Sequence, residues 1–578
     1  MLGLAVKCYL QKRGEKNEKE RKPHYGTLFY NFRLLSSGLG RYLHYKQSES
    51  KYGSENMKKL NEKYDAIIIE AGIGGLTCAN LFAKNGLKTL VLEQHSRPGG
   101  YVTSYKRNGF TFDVPHVIGG IAPNGNIGRL LSYLGLDKNI EWVESDQFQK
   151  FIYPRHTLRV PLDIAKYERT LIELFPSESK GITKFFETLK RIWKESNKMP
   201  FFLSKLRLVI FPLEYPTIFK YRNKTLKDLL DEHFEDNELK AILSSLWGYL
   251  GSPPSKLSVL TYANMLMCFH LGGAGYPKGG FQKLADAFTD GLKNYGGDLK
   301  LNSMVVKVLI KDKKAIGIEL RNGQKIKATY VISDADSRRT FLELVGEEYL
   351  NTKFVHRLKN MELSPSGFVV HLGVDMELEK YDLNYATIMY SPSYDAVEKA
   401  WKRYRENEFL DMNSTGFGLS VPSLKDHDLA PKGKHCMDLM IMPAPYHYKN
   451  DWMTEQGKRG EEYRRLKENI AEGLIKAAEN VVPELSKHIV VKDISTPMTY
   501  ERYTLSSEGA WYDMAQIPGQ TGIKRLSRKT EISGLYLTGA SSFSGGMFGA
   551  ISSGLLTADE ILKGKLTGRK LLLQEQKL

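Results

Sequence analysis

The stretch YDAIIIEAGIGGLTCANLFAKNGLKTLVLEQHSRPGG, residues 64–100, decides the fold. An apolar run at 65–69 ends in a glycine-rich turn, a helical apolar pattern at 76–84 stops at Asn85-Gly86, and a second apolar run occupies 88–92. Continuous apolar runs are typical of buried parallel strands, and glycine after a helical pattern is typical of a helix end. This order predicts a βαβ unit and an α/β fold with a Rossmann-type dinucleotide-binding domain.

The turn of this unit departs from the dinucleotide-binding fingerprint at one position. The fingerprint G-x-G-x-x-G falls on Glu70, Gly72 and Gly75, so the first glycine is replaced. Glu93 follows Gly75 by 18 residues, where an acidic side chain hydrogen-bonds a ribose. An ordinary strand–helix turn is the alternative, but the ordered strands, helix, glycines and acid favour a cofactor site. We expect that site to contain Glu70, Ala71, Gly72, Gly74, Gly75 and Glu93.

The replacement at Glu70 predicts weaker cofactor binding. The first glycine makes the tight turn out of the strand, and the second lets the backbone approach a pyrophosphate. A helix N-terminus also favours negative phosphate groups through its free N–H groups and its dipole. Glu70 adds a side chain and a negative charge beside that diphosphate. We therefore expect Glu70→Gly to raise cofactor occupancy.

The composition favours a globular protein that contacts acidic surfaces. The chain has 578 residues, 42% of them hydrophobic, and a net charge of +17, of which residues 1–56 carry +6. No zinc-finger spacing, RNA-binding signature or long basic block indicates nucleic acid, so an anionic membrane surface is the better match for the charge. No metal-ligand set and no Ser/His/Asp set emerges from the sequence.

The cysteines predict a reducing compartment. Cys8, Cys78, Cys268 and Cys436 are far apart and form no C-x-x-C pair. Widely spaced thiols without a secretory pattern are typical of reduced, cytoplasmic proteins. No apolar run reaches the length of a transmembrane helix, so we expect a cytoplasmic protein with, at most, peripheral contact to a membrane.

Four motifs, the last of them in two parts, together resemble the flavin-dependent phytoene desaturase family, which includes carotenoid isomerases and retinol saturases. The resemblance runs from about residue 64 to about residue 563 and is specific for the superfamily rather than for one substrate. The motifs are AGIGGL (71–76), GGYVTSYKRNGFTFDVPH (99–116), GYPKGGFQKLADAF (275–288), TPMTYERYTLSSEGAWY (496–512) and GLYLTGASSFSGGMFGAISSG (534–554).

The resemblance implies that the cofactor is FAD. It implies that Gly72, Gly74 and Gly75 hold the pyrophosphate and that Glu93 binds the adenosine ribose. The remaining positions carried over from the family are Gly99, Gly100 and Tyr101 near the flavin, Val306 (or Val305) near the adenine, Gly539 and Ala540 near the diphosphate, and Gly546 and Met547 at a helix start facing the flavin.

The resemblance also implies a discontinuous cofactor domain. We expect the FAD-binding domain to comprise 61–130, 275–340 and 491–565, and a mixed α+β substrate or membrane-facing domain to comprise 131–274 and 341–490. Residues 1–60 read as a basic extension that is disordered or not native, with Met57 as an alternative start, and 566–578 read as a tail. Within the second domain, 198–221 interleaves apolar and basic residues, which fits a membrane-contacting surface or a buried helix equally well.

The chemistry implied is hydride transfer between a C–H group of an apolar substrate and the flavin. Desaturation, saturation and cis–trans isomerisation of a polyene or isoprenoid lipid all remain open, and the sequence does not indicate the electron acceptor or a need for NAD(P)H. His116 is the candidate for proton handling, and Arg502 and Tyr503 are candidates for lining the site. A structural role is the alternative for each of the three. A flavin-free prenyl- or lipid-binding protein of the same fold, or an inactivated family member, are the alternative functions.

Overall fold

The computed structural model describes residues 63–566, except for 145–146, 200–204, 407, 409–410, 413 and 445–458. All helices and strands in this part of the chain belong to one compact unit. The whole extension predicted for 1–60, and the tail predicted for 566–578 apart from Leu566, lie outside the described residues.

The strands and helices follow one another along the chain in an order that mixes both types throughout. The strands are β1 (Lys63–Ile69), β2 (Thr89–Leu92), β3 (Ser104–Arg107), β4 (Phe110–Asp113), β5 (Ile118–Gly119), β6 (Trp142–Glu144), β7 (Gln147–Ile152), β8 (Thr157–Pro161), β9 (Ala274–Pro277), β10 (Asp298–Lys300), β11 (Val305–Lys311), β12 (Lys314–Leu320), β13 (Lys325–Ser333), β14 (Ser366–Val374), β15 (Thr387–Tyr390), β16 (Phe417–Ser420), β17 (His435–Ala444), β18 (Ile489–Ser495) and β19 (Leu535–Leu537). The α-helices are α1 (Ile73–Lys84), α2 (Asn126–Leu134), α3 (Ile164–Leu174), α4 (Ser179–Lys198), α5 (Lys205–Glu214), α6 (Pro216–Tyr221), α7 (Leu226–His233), α8 (Asn237–Ser244), α9 (Val259–Gly272), α10 (Gln282–Asn294), α11 (Thr352–Asn360), α12 (Ala396–Arg405), α13 (Glu461–Ala478), α14 (Pro497–Thr504) and α15 (Gly546–Ile561).

The first sheet carries the cofactor motifs. Its order is β10-β2-β1-β13-β12-β11, and β19 pairs with the C-terminal part of β13. β10, β2, β1, β13 and β19 run parallel, while β12 lies antiparallel to β13 and to β11. The predicted α/β fold is confirmed, and the strands of this one sheet come from three separated parts of the chain.

Helix α1 lies in the centre of this arrangement because small residues let it approach its neighbours. It begins at Ile73, three residues earlier than the apolar pattern predicts, and ends at Lys84. It packs against α10 and α15. Any side chain at Gly554 of α15 would collide with the carbonyl oxygen of Gly74, so these two glycines set the closest approach of the two helices.

The second sheet, in the order β18-β14-β17-β16-β15-β7-β8, forms its own layer. One core lies between this sheet and α13, and a further core is made mainly by α3, α4 and α6–α9. The apolar run at 258–271 forms most of α9, whose Val259, Leu266 and Met267 are buried in that helical core. Most of its side chains thus have a packing role.

The segment 109–120, which reads as strand-like throughout, is two separate strands. β4 pairs with β3 as a hairpin, and the short β5 pairs with β9 instead. Pro115 interrupts the run, since proline lacks the N–H that a ladder needs. His116 therefore lies in the loop between β4 and β5 rather than on a strand.

The described residues of the segment 198–221 include both buried and exposed apolar side chains. Tyr215, Ile218 and Tyr221 are buried, whereas Val209 and Leu213 on α5 are 77% and 83% exposed. Across the described residues, no helix has both the length and the apolar character needed to cross a bilayer.

Candidate functional site

The turn between β1 and α1 is held by a carboxylate. Glu93 Oε2 accepts a hydrogen bond from the Ala71 N–H at 2.9 Å, and Oε1 accepts one from the His95 N–H at 2.8 Å. Glu93 is 5% exposed. Its position at the end of β2 follows from the parallel register of β1 and β2, which brings both carboxyl ends to one edge of the sheet.

Glycines line this turn because side chains have no room there. A Cβ added at Gly74 would lie 2.7 Å from Gly539 Cα, and one added at Gly75 would lie 2.7 Å from the carbonyl oxygen of Glu70. A Cβ at Gly72 would collide with the carboxylate of Asp334. The sequence could not have identified Asp334, because its place depends on the pairing of β13 with β1.

The double glycine after Arg97 returns to the same turn. The Gly99 N–H donates to the Ala71 carbonyl oxygen at 2.8 Å, and Gly72 and Gly99 form a parallel bridge. Gly100 has φ +59°, and a Cβ there would lie 3.3 Å from Gly72 Cα. The structure thus brings Gly99 and Gly100 to the turn residues Ala71 and Gly72, and their predicted position near the flavin stays a prediction.

Tyr101 connects this loop to the 496–512 motif. Its hydroxyl donates to the carbonyl oxygen of Ala510 at 2.9 Å, and its ring stacks on Tyr500 with centroids 6.1 Å apart. Burial raises the pKa of Tyr101 to about 12, against the opposing hydrogen bonds from Ser506 and Thr504. Tyr101 is therefore a neutral hydrogen-bonding group at physiological pH.

The C-terminal motif provides the opposite side of the turn. Gly539 has φ +72°, a conformation that favours glycine, and it packs on Gly74 as described above. The buried Arg525 donates to the carbonyl oxygen of Ala540 at 2.7 Å. α15 begins at Gly546, followed by Met547, and no side chain caps its N-terminus. Its free N–H groups are thus available to an anion or a polar ring edge.

Glu70 itself occupies the strained turn position and has a partner. Its φ is +72°, the left-handed conformation that the missing glycine would adopt. Its Oε1 accepts a hydrogen bond from Nη1 of Arg339 at 2.7 Å, and the two side chains are 17% and 5% exposed. Burial and the nearby Glu93 and Asp336 raise the pKa of Glu70, and Arg339 opposes that rise. The unpaired charge expected from the sequence is therefore paired.

The position predicted for adenine contact also adjoins Arg339. Arg339 Nη2 donates to the Val305 carbonyl oxygen at 3.3 Å, and Val306 is the next residue of β11. The sequence does not indicate Arg339 as a partner of Glu70, because the two residues are 269 positions apart. The usable signal in the sequence was the basic pair Arg338-Arg339 shortly after the apolar run YVI at 330–332.

These residues fit FAD. The turn consists of glycines whose Cβ atoms would fill it, α1 begins there without a capping side chain, and an acid at the end of β2 faces the turn. Asp334 accepts a hydrogen bond from the Gly75 N–H, while burial raises its pKa well above the usual range and favours the neutral carboxyl.

A buried chain of polar groups lies near His116. His116 Nδ1 is 3.7 Å from Oδ2 of Asp438, and the His116 side chain is 8% exposed. Oδ1 of Asp438 is 2.6 Å from Nδ1 of His371, whose Nε2 is 3.1 Å from Ser495 Oγ. Tyr500 in turn hydrogen-bonds to Ser495. Burial lowers the pKa of His116, although Asp438 opposes that change.

Asp113 does not join this chain of groups. Its carboxylate accepts hydrogen bonds from the Phe281 N–H at 2.9 Å and from the hydroxyls of Ser104 and Tyr276. Burial raises the pKa of Asp113 to about 6 despite these bonds. The motifs 99–116 and 275–288 are thus tied to each other by Asp113, which has a structural role.

Arg502 and Tyr503 lie apart from the buried groups. Both are exposed, Tyr503 by 54%, and the Arg502 guanidinium lies over the Tyr503 ring at 5.7 Å. The Tyr503 carbonyl oxygen is 2.7 Å from His95 Nε2. In the same helix, α14, the buried tyrosine is Tyr500. The structure therefore offers no support for the predicted site role of Arg502 and Tyr503.

Comparison with known proteins gives a family match and several relatives. The pattern of the family described as flavin containing amine oxidoreductase matches residues 73–382. The chain is 28% identical over 513 residues to prolycopene isomerase of Daucus carota, covering 87% of this chain and 80% of that protein. It is 27% identical over 542 residues to the all-trans-retinol 13,14-reductase of Homo sapiens, covering 88% and 87%.

Solved structures share the fold at lower identity. An oxidoreductase from Methanosarcina mazei superposes with a TM-score of 0.58 at 18% identity, covering 87% of this chain and 100% of that one. Putrescine oxidase bound to putrescine gives a TM-score of 0.57 at 15% identity, covering 87% and 99%.

Proposed function

We propose a substrate and a reaction from the premise that this chain belongs to the flavin-containing amine oxidoreductase family, with FAD as its cofactor. The protein is an oxidoreductase that acts on an apolar polyene or isoprenoid lipid, by saturation, desaturation or cis–trans isomerisation of a carbon–carbon bond. The observation that carries this proposal is the similarity, over 86–88% of the chain, to enzymes named for prolycopene and all-trans-retinol.

Bound FAD supplies hydride exchange at its flavin ring. The protein supplies the glycine turn for the diphosphate, Glu93 for the ribose, and the uncapped start of α15 for the flavin end, where a positive helix dipole favours negative charge. The cofactor-binding part corresponds to 61–130, 275–340 and 491–565, and the substrate part to 131–274 and 341–490.

His116 is proposed as the group that exchanges a proton with the substrate carbon next to the one that exchanges hydride. It is nearly buried, its Nδ1 has no hydrogen-bond partner among the described residues, and Asp438 lies 3.7 Å away to stabilise the charged form. Saturation then adds a hydride and a proton to the two carbons, and desaturation removes them.

The apolar substrate is proposed to lie beside the start of α15. Phe548, two residues into that helix, packs against both the core of the cofactor motifs and the helical core. Met265 and Met389, which are only partly buried, pack against the same helical core. Flexible, polarizable methionines adapt to irregular apolar ligands, so this region suits a polyene.

Contact with a membrane surface is proposed for α5. Val209 and Leu213 are two of the most exposed apolar side chains in the described structure, and both lie on one short helix. A lipid-soluble substrate has to be taken from a membrane or a carrier, and apolar side chains that insert into the interface bring the protein to it.

The test is the visible absorption spectrum of the purified protein, an FAD titration, and incubation with all-trans-retinol and prolycopene, once under reducing, anaerobic conditions and once with a quinone as electron acceptor. We expect flavin bands and, with one of the polyenes, a product that gains or loses two hydrogens or is a geometric isomer. Flavin bands without turnover of any polyene would contradict the substrate class. No flavin bands and no FAD binding, with retained lipid binding, would instead identify a flavin-free lipid carrier, while loss of both would indicate an inactivated family member.

A further inference from the structure

We propose that Arg339 is a positioning residue of the FAD site, and that Glu70 and Arg339 together replace the first fingerprint glycine as a matched pair. FAD binding then depends on Arg339 as long as Glu70 is present, and no longer depends on it when position 70 is glycine. The inference concerns only cofactor binding and stands independently of which lipid the protein acts on.

The sheet brings the two residues together. β1 and β13 are parallel neighbours, with Ile69 opposite Ser333 at their carboxyl ends. Glu70 is the first residue after β1, and Arg339 begins the π-helical turn that follows β13. The pair therefore lies at the carboxyl edge of the sheet, where open α/β sheets bind their ligands.

The backbone at Glu70 keeps the shape that the fingerprint requires. Its φ of +72° is the conformation expected for glycine, its N–H donates to the Leu92 carbonyl oxygen at 2.8 Å, and the next N–H, that of Ala71, donates to Glu93 at 2.9 Å. The side chain extends toward Arg339, 2.7 Å from Nη1. Because the Glu70 side chain extends toward Arg339, it does not fill the turn in which a glycine is expected.

The guanidinium of Arg339 compensates the negative charge that Glu70 adds to the turn. The acidic groups Glu93 and Asp336 raise the pKa of Glu70, and Glu70 in turn raises the pKa of Asp334. Arg339 is the cation that contacts Glu70, and its Nε is also 3.8 Å from Glu343 Oε2. Without Arg339, a carboxylate would remain uncompensated next to an incoming diphosphate, and like charges in a partly buried site repel strongly.

The guanidinium is held in place by further bonds. Arg339 Nη2 donates to the Val305 carbonyl oxygen at 3.3 Å, and the Arg339 N–H donates to Asp336 Oδ1 at 2.9 Å. An arginine fork that bridges a side chain and a backbone carbonyl has one fixed orientation, whereas a lysine would supply only a point charge. Arg339 therefore fixes both the charge and the direction of Glu70.

The experiment is a double-mutant cycle on FAD affinity, measured by titrating flavin-stripped protein with FAD. The variants are Glu70→Gly, Arg339→Gln and the double variant. We expect Arg339→Gln to lower FAD affinity at least tenfold in the natural background and less than threefold in the Glu70→Gly background. An equal loss in both backgrounds, or no loss in either, would overturn the proposal.

Two controls separate this effect from misfolding. Arg338→Gln removes the neighbouring arginine, which bonds to the Lys359 and Met361 carbonyl oxygens, and is expected to leave FAD affinity unchanged. The melting temperature of each flavin-free variant reports folding directly. If Arg339→Gln does not fold, Arg339→Ala removes the same positive charge and provides the same contrast, and a loss that Glu70→Gly fails to rescue would equally overturn the pairing.

Discussion

His371 and Asp438 face each other across β14 and β17, with Nδ1 and Oδ1 2.6 Å apart in a site where both are nearly inaccessible. The same carboxylate lies 3.7 Å from His116, so a single acid serves two imidazoles. Removing it leaves His371 Nδ1 without an acceptor and His116 without a counter-charge.

Asp438→Asn is expected to lower the free energy of unfolding by about 1–3 kcal/mol, the usual cost of an unsatisfied buried polar group. Since Asp438 opposes the lowering of the His116 pKa, the limb of the kcat/KM profile that reports His116 is expected to move to lower pH. Urea denaturation and the pH profile of turnover measure the two effects. An unchanged pH profile would show that Asp438 has only a structural role.

His116→Gln is expected to lower kcat by about 10²–10⁴-fold, the typical contribution of a general acid or base. FAD affinity is expected to stay unchanged, because His116 lies outside the glycine turn. His356→Gln, which changes an exposed histidine on α11, is the matched control. Equal kcat values for His116→Gln and the natural protein would exclude a proton-transfer role.

Gly74→Ala is expected to disrupt the FAD site by separating the turn from the 539 loop, since the new Cβ would lie 2.7 Å from Gly539 Cα. Overpacking of this kind costs about 1–3 kcal/mol of stability. FAD titration measures the loss of cofactor affinity, and thermal unfolding measures the loss of stability. Gly519→Ala is the control, because a Cβ there has nothing within 4 Å; a similar loss for both variants would contradict the close approach.

The pKa of Asp113, raised to about 6 by burial, predicts a pH dependence of stability. An acid with a higher pKa in the folded state stabilises the protein fully below its unfolded pKa, and this contribution is lost as the pH rises through the folded pKa. Between about pH 4 and pH 7 the natural protein is expected to lose about 3 kcal/mol of unfolding free energy relative to Asp113→Asn. If the unfolding free energies of the natural protein and of Asp113→Asn change with pH in parallel, Asp113 does not contribute this pH dependence.

The exposed face of α5 predicts a loss of membrane binding in Val209→Asn/Leu213→Asn. Burying two such side chains contributes about 1.5–3 kcal/mol each, so vesicle binding is expected to fall at least about tenfold. Sedimentation with vesicles of anionic and neutral lipid measures it, and Val490→Asn, on the 43% exposed Val490, is the control. Lys205 and Arg207, for which we predict from the sequence a contribution to anionic-lipid binding, have side chains outside the described residues, so their neutralisation remains a separate test.

Local sequence signals were sufficient for the first βαβ unit. An apolar run, glycines and a helical period occur within 64–100, so β1, α1 and β2 were predicted to within about three residues. Asn322-Gly323, between the antiparallel strands β12 and β13, is a local turn signal of the same kind. The α/β fold and the glycine turn follow from these short-range patterns.

Contacts across the chain were not predictable in the same way. The Glu70–Arg339 pair and the Asp438–His371–Ser495 chain each depend on strand register, and a single sequence contains no record of register between distant strands. The exposed positions of Arg502 and Tyr503 have the same origin, because the motif alone does not show which tyrosine of 500–503 turns inward. The structure, and not the sequence, therefore shows which charged groups of the site are paired and which side chains are buried.

The contact between Gly74 of α1 and Gly554 of α15 has a consequence for how the protein is made. The glycine turn proposed for the diphosphate lies near residue 72, while the helix and loop that pack against it emerge from the ribosome almost five hundred residues later. The nascent chain therefore has an incomplete cofactor pocket for nearly the whole of its synthesis. We therefore expect flavin to bind only after α15 has been made, and a protein truncated before α15 to have the glycine turn without the residues that pack against it.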